Sequence, residues 1–150
     1  MIALIQRVNN ASVVVNGNTV ASINTGLLVL LGIKNDDTDE DAKYLANKVV
    51  NMRIFNDNEG KMNLSLLDIK GECLVVSQFT LHADERKGRR PSFIKAAPPD
   101  KAENLYNIFV NEISQYGINA EKGIFGATME IHLVNNGPVT IIARSKNEYG

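Results

Sequence analysis

The chain has 150 residues, of which 44% are hydrophobic and 22% charged, and its formal net charge is -1. This length and balance predict a single domain, residues 1–150, and exclude a general attraction to polyanions, so any contact with nucleic acid must be local. Cys73 is the only cysteine, which excludes an internal disulfide, and no apolar run reaches the length of a signal peptide or a membrane span. We therefore expect a cytoplasmic protein that contacts no membrane.

The first third of the chain predicts strands. Residues 2–8 read as one strand, and residues 12–15 and 19–23 flank Asn16-Gly17, a dipeptide suited to the positive φ angles of a type I′ hairpin turn. Residues 26–32 form a short apolar run bounded by glycines, which favours a buried strand because the run is too short for a helix.

An acid-rich segment, residues 35–41, has two interpretations, a helix start or a metal site. Thr38 is a suitable helix cap, and acids in a first turn are favoured by the helix dipole. We favour the helix because the apolar residues that follow have helical spacing: Ala42, Leu45, Ala46, Val49 and Val50.

Short elements precede the stretch that we expect to carry the function. Residues 53–55 and 65–69 are each predicted to be a strand, with a turn at residues 57–60. Residues 73–76 are apolar without interruption, which is typical of a strand covered on both faces. Ser77, Gln78 and Thr80 then bring two hydroxyls and an amide to its end, where buried polar groups need a partner or a ligand. The pattern indicates a strand that delivers a site.

A basic segment follows directly. Residues 84–95 carry five basic residues against two acids, and Gly88 and Pro91 favour a loop. A solvated charged loop is one interpretation, and contact with phosphates is the other. The candidate phosphate ligands are Arg86, Lys87, Arg89 and Arg90.

The last third of the chain predicts a second helix and two strands. The helix follows residues 97–100, buries Ala102, Leu105, Phe109 and Ile113, and stops at Gly117. An alternating strand begins at Gly126, and residues 139–143 form a last strand. His132 has no evident acid or cysteine partner and is interpreted as a surface or interface residue.

The dipeptide Gly137-Pro138 separates those strands and also has two interpretations. Proline cannot donate to a strand ladder, and a tight turn accounts for the pair. Alternatively the backbone itself is the device, because glycine allows close approach and a cis bond before proline turns consecutive carbonyls to one side.

Nearly the whole chain resembles one known family, the D-aminoacyl-tRNA deacylases. The two longest matching motifs are Ser77-Gln78-Phe79-Thr80-Leu81 and Asn135-Asn136-Gly137-Pro138-Val139-Thr140. Others are Gln6-Arg7-Val8, residues 26–32, Gly60-Lys61-Met62-Asn63, residues 87–93, and Phe125-Gly126-Ala127 with Met129. The family usually has tyrosine in place of His82 and aspartate in place of Asn136.

The resemblance implies a homodimer that hydrolyses the ester joining a D-amino acid, or glycine, to the terminal adenosine of tRNA, without metal or organic cofactor. It implies a catalytic site at Ser77, Gln78, Phe79 and Thr80 in which main-chain amides hold the ester carbonyl oxygen. Gly137 and Pro138, as a cis pair from the other protomer, would reject L-amino acids. Phe125 and Met129 would line the adenine pocket, although both are also ordinary core residues.

Two rival functions remain open. One is a general esterase with Thr80 as nucleophile and His82 as base, since an ideal strand would place both on one face. The other is a nucleic-acid-binding module without catalysis. For the fold we predict an α+β class in which two curled β-sheets form a barrel-like core with two main helices packed outside; the barrel comes from the resemblance.

Overall fold

The computed structural model describes residues 1–149. Its helices are α1 (Asp39–Asn51), the short α2 (Leu66–Ile69) and α3 (Pro99–Gln115), with 3₁₀ helices at Phe79–His82 and Lys146–Glu148. Its strands are β1 (Ile2–Val15), β2 (Asn18–Ile23), β3 (Gly26–Gly32), β4 (Phe55–Asn56), β5 (Met62–Leu64), β6 (Glu72–Ser77), β7 (Ala120–Lys122) and β8 (Glu130–Arg144).

A six-stranded mixed sheet forms the body of the protein, and β4 and β5 form a second, two-stranded sheet. The large sheet has the order β2-β1-β3-β6-β7, and β8 pairs antiparallel with β1 along most of its length. The β3–β6 and β6–β7 pairs are parallel. Because β1 carries β8 on one side and both β2 and β3 on the other, the sheet curls into a nearly closed barrel.

Apolar side chains pack on both faces of this sheet. On one face, β3 and β6 contribute Val29 and Val75 to a core shared with α1 and α3. On the other face, Leu28 and Leu74 join residues of β1 and β2 in a second core. The predicted fold class is confirmed, as is the prediction that residues 73–76 are covered on both faces.

Three local predictions were wrong. Residues 66–69 are the helix α2 and not a strand. Ser65 caps this helix: its Oγ accepts a hydrogen bond from the Asp68 amide at 3.1 Å, and Asp68 Oδ2 accepts one from the Ser65 amide at 2.8 Å. The strand expected at residues 53–55 lies at Phe55–Asn56. The two C-terminal strands are one, because β8 runs through Gly137-Pro138.

The acid-rich segment begins α1, as predicted, but one acid has another role. Asp41 Oδ2 accepts a hydrogen bond from the Thr38 amide at 2.9 Å and closes the first turn. Asp37 is buried, and its Oδ1 accepts a hydrogen bond from the α-amino group of Met1 at 2.7 Å. Glu148 Oε1 accepts another from that amine at 2.8 Å, so this acid pair holds the start of β1 against the segments that follow β3 and β8.

The interpretation of His132 as a surface residue is consistent with the structure. His132 lies on the exposed side of β8, with Nε2 3.7 Å from Glu130 Oε2. Over residues 1–149, no helix combines the length and the apolar composition needed to cross a bilayer.

Candidate active site

The candidate site begins where β6 ends. The Gln78 amide still donates to the Leu31 carbonyl of β3 at 2.8 Å, and the chain then turns into the 3₁₀ helix Phe79–His82. Short polar side chains at the end of a buried strand satisfy themselves locally, and here Gln78 Nε2 donates to Thr80 Oγ1. Phe79 and Thr80 are exposed, whereas Ser77 and Gln78 are half-buried.

A cavity of about 590 Å³ opens at this point. Ser77, Gln78 and Phe79 line it from the β6 end, and Phe125 and Met129 line it from the segment before β8. The structure therefore brings together two sequence-predicted groups that are almost fifty residues apart. The remaining wall is mostly apolar and includes Ile33, Val76, Phe93, Ala96, Ala97, Pro99, Ala102, Ala127 and Ile131.

The backbone amides of Phe79 and Thr80 begin the 3₁₀ helix, where the first N–H groups have no acceptor within the helix. Apart from the hydrogen bonds inside helices and strands, neither amide donates to another backbone group within residues 1–149. Both are thus free to donate to a ligand beside the exposed Phe79 ring. Electrostatically, this is a small cluster of donors next to an apolar cavity.

The predicted shared face of Thr80 and His82 is wrong. These residues lie in a 3₁₀ helix and not in a strand, and His82 is buried while Thr80 is exposed. His82 instead lies beside Asp37 and Glu148, with the nearest ligand atoms of the three residues within 4.8 Å of one another. A histidine turned into that cluster is badly placed to act as base for an exposed hydroxyl, which weakens the Thr80–His82 esterase hypothesis.

The single cysteine is not a nucleophile. Cys73 is fully buried within β6, and this burial raises the pKa of its thiol to about 12. The thiolate, which is the reactive form, is therefore essentially unpopulated near neutral pH. Cys73 behaves as the small hydrophobic residue that the sequence predicted.

The basic segment follows the 3₁₀ helix, and its Phe93 lines the cavity. Residues 84 and 92 pair as an isolated β-bridge, so residues 85–91 form a closed loop whose exposed end carries Lys87, Arg89 and Arg90. Arg86 differs from these three because it forms a two-point ion pair with Asp84, with Nη2 2.6 Å from Oδ2 and Nε 2.8 Å from Oδ1. Hydrogen bonds from Arg86 hold the pKa of Asp84 well below its usual range. Arg86 is the least available of the four predicted phosphate ligands.

Gly137 and Pro138 lie elsewhere on the surface. Their peptide bond is cis, both residues are exposed, and neither lines the cavity of its own chain. In the β1–β8 register, Thr140 pairs with Gln6 and Asn135 with Val8, so residues 136–139 bulge out opposite Arg7.

A model of the D-Tyr-tRNA(Tyr) deacylase family matches residues 4–144. The chain belongs to this family. Among its relatives, the D-aminoacyl-tRNA deacylase of Thermosipho africanus is 59% identical over 149 residues, covering 99% of this chain and all of the relative. That of Desulfatibacillum aliphaticivorans is 59% identical over 146 residues, covering 97% of this chain and all of the relative. The predicted membership is confirmed, and the chain is a hydrolase of the D-aminoacyl-tRNA deacylase class.

Two solved structures have a fold similar to that of this deacylase. One is the c-Myc DNA Unwinding Element Binding Protein, 40% identical, with a TM-score of 0.91 over 97% of this chain and 99% of the other. Another, a probable eukaryotic D-amino acid tRNA deacylase, is 18% identical, with a TM-score of 0.82 over 95% of this chain and 97% of the other. At that identity the second comparison supports the fold alone.

Two residues that support the Gly137-Pro138 bulge of this deacylase were not predicted to have a role. Arg7 is buried, and its guanidinium donates from Nε to the Asn136 carbonyl at 2.9 Å and from Nη1 to the Ile54 carbonyl at 2.8 Å. Asn135 Oδ1 accepts a hydrogen bond from the Val139 amide at 3.1 Å. A signal for Arg7 was present, since an arginine inside an otherwise apolar strand must find buried acceptors.

Proposed function

We propose that this deacylase hydrolyses the ester that joins a D-amino acid to the terminal adenosine of tRNA, releasing the free amino acid and tRNA. The observation that carries the proposal is the cavity in which the Ser77-Gln78-Phe79 end of β6 meets Phe125 and Met129. A mostly apolar pocket with a few convergent polar groups suits a nucleoside and its attached ester. Family membership supplies the substrate class.

Adenine would lie against Phe125 and Met129, because an aromatic ring and a thioether both pack well on a base. The ester then reaches the start of the 3₁₀ helix, where the Phe79 and Thr80 amides are free to donate to the carbonyl oxygen. As water attacks the carbonyl carbon, negative charge develops on that oxygen, and preorganised backbone donors stabilise it. The ribose 2′-hydroxyl assists the attacking water, and no side-chain nucleophile is needed.

The choice of D over L substrates would come from a second protomer. In a homodimer, Gly137 and Pro138 of one protomer would enter the cavity of the other, where their carbonyls hold the α-amino group and crowd the position of an L side chain. Two observations support this arrangement. The bulge is exposed on its own chain, and Arg7 and Asn135 hold it by hydrogen bonds.

Glycine has no side chain to exclude, so the same site would accept glycyl-tRNA, including glycine mischarged on tRNA(Ala). This follows from selection by steric clash, which cannot reject a smaller substituent on the same carbon atom.

Deacylation of matched D- and L-aminoacyl-tRNA tests the proposal. We expect rapid hydrolysis of the D ester and near-background hydrolysis of the L ester. A protein that binds both tRNAs and cleaves neither would be the binding module considered above. Equal cleavage of both, together with cleavage of simple esters, would point to a general esterase.

A further inference from the structure

Two aromatic rings stand exposed at the mouth of the cavity. Phe79 is 54% exposed and Phe93 is 39% exposed. Their ring centroids lie 5.1 Å apart with an interplanar angle of 78°, an edge-to-face pair. Both residues border the cavity, Phe79 from the end of β6 and Phe93 from the end of the basic loop. We call this pair the aromatic rim.

The backbone beneath the aromatic rim is held in place. The Asp84 amide donates to the Ser92 carbonyl at 2.8 Å, and the Ser92 amide donates back to the Asp84 carbonyl at 2.9 Å. The Phe93 carbonyl accepts a hydrogen bond from the Ala96 amide at 3.0 Å. The backbone is therefore fixed on both sides of Phe93, which lowers the backbone entropy lost when a ligand packs on its ring.

The packing of the two rings leaves aromatic surface open. In an edge-to-face pair, the ring that presents its edge keeps both faces uncovered by the other ring. Exposed apolar side chains that adjoin one another and border a cavity are typical of a ligand-binding groove. Exposed aromatic rings next to cations are the elements from which proteins build sites for single-stranded nucleic acid.

We propose that the aromatic rim is a stacking subsite for the nucleobase that precedes the terminal adenosine of the tRNA. This inference rests on the proposed function. If the terminal adenosine lies at Phe125 and its ester at the start of the 3₁₀ helix, the RNA strand leaves the cavity past Phe79 and Phe93. Beyond them it meets Lys87, Arg89 and Arg90, whose charge complements the phosphates. Phenylalanine offers no hydrogen bond, so the stacking is tolerant of base identity.

The test compares two substrates on one variant. Phe93→Leu keeps an apolar side chain and removes the aromatic face. Its kcat/KM should fall roughly 5- to 150-fold on D-aminoacyl-tRNA, the range that corresponds to one stacked base. On 2′(3′)-O-D-aminoacyl-adenosine, which lacks the preceding nucleotide, its kcat/KM should fall less, so the ratio of tRNA to adenosine activity should drop by most of that factor. Phe93→Tyr should restore the tRNA rate, because it restores the ring.

The control variant is Ile94→Ala, since Ile94 is 81% exposed, apolar and next to Phe93, but is not among the cavity-lining residues. Its ratio of tRNA to adenosine activity should match wild type. An equal loss on both substrates by Phe93→Leu would make the ring a plain cavity wall and overturn the subsite, as would no loss on either. A change in oligomeric state would assign the rim to a contact between copies of the chain, which also overturns it.

Failure of the subsite and failure of the proposed function are distinguishable. If wild-type protein cleaves D-aminoacyl-adenosine and D-aminoacyl-tRNA, and Phe93→Leu leaves their ratio unchanged, only the subsite is wrong. If wild-type protein cleaves neither ester, the proposed function is wrong.

Discussion

At the scale of single residues, Arg7 shows how one buried charge organises a functional surface. Its guanidinium joins the Asn136 carbonyl in β8 to the Ile54 carbonyl before β4, so that two segments distant in sequence are held at fixed separation. These two acceptors are backbone carbonyls, and a third, longer hydrogen bond runs from Arg7 Nη1 to Asn56 Oδ1 at 3.4 Å. The bulge at Gly137-Pro138 is thereby held from within its own protomer, whatever it contacts outside.

Gly137→Ala should impair hydrolysis of D-aminoacyl-tRNA strongly. Gly137 has φ +144°, and a Cβ there would lie 2.7 Å from Val139 Cγ2 and 2.8 Å from the Val139 amide nitrogen. L residues rarely adopt such a backbone, so the bulge must shift. Since misplacement by about 1 Å costs on the order of 100-fold in rate, single-turnover kinetics should show a loss of that size. Gly117→Ala, at a glycine with φ +83° and nothing within 4 Å of the added Cβ, is the control for backbone strain away from the site.

Thr80→Val should keep substantial activity, within about 10-fold of wild type, because the proposed mechanism uses the Thr80 amide and not its hydroxyl. The change removes the acceptor for Gln78 Nε2, which accounts for a modest loss. A nucleophilic Thr80 would instead lose essentially all activity. Mass spectrometry of protein quenched during turnover adds a second measurement, and an acyl group found on Thr80 would overturn the mechanism.

At the scale of elements, hydrophobic periodicity predicted most of the helices and strands. The buried residues of β3, β6, α1 and α3 recur at regular spacing within one short segment each, so the pattern is visible in the sequence. Two failures have local causes: a capping pair at Ser65 and Asp68 turned an expected strand into α2, and the polar end of β6 became a 3₁₀ helix. Periodicity did not predict the cavity, and only the family resemblance implied a pocket at Phe125 and Met129. Its walls come from Ile33, Ala97 and Phe125, whose convergence depends on long-range packing.

The basic loop should contribute to tRNA binding through the charge of its side chains. Replacing Lys87, Arg89 and Arg90 together by alanine should weaken tRNA binding and reduce the slope of log K against log salt by up to about 2 to 3, because each phosphate contact releases a counterion. Arg86→Ala alone should change the slope much less, since Arg86 is paired with Asp84. Filter binding at several salt concentrations measures both. An unchanged slope in the triple variant would remove the loop from the interface.

At the scale of the whole molecule, the proposed site needs two chains, because the residues that would select the D configuration are absent from the cavity wall of their own chain. In the proposed dimer, the cavity of one protomer would bind the ester, and the bulge of the other protomer would exclude L side chains. Neither half alone would discriminate between enantiomers, which makes assembly a condition for specificity.

Hybrid dimers test this division. Gly137→Ala and Phe125→Ala protomers, each impaired alone, should regain activity when mixed under conditions of subunit exchange. In a hybrid, one of the two sites combines an intact cavity with an intact Gly137, so a random mixture should recover up to about a quarter of the wild-type sites. Mixing two differently tagged Gly137→Ala chains is the control. If mixing restores nothing although hybrids form, the site lies within one chain.

The pairing of β1 with β8 also affects how the protein is made. Eleven residues of the first strand pair with residues 130–144, near the other end of the chain. Translation proceeds at about 5 to 20 residues per second. The edge of β1 that later pairs with β8 therefore stays unpaired for several seconds after β1 has been synthesised. We therefore expect nascent chains arrested before residue 130 to be digested readily by protease and to bind ribosome-associated chaperones. Chains arrested well past residue 144 should become resistant in a single step.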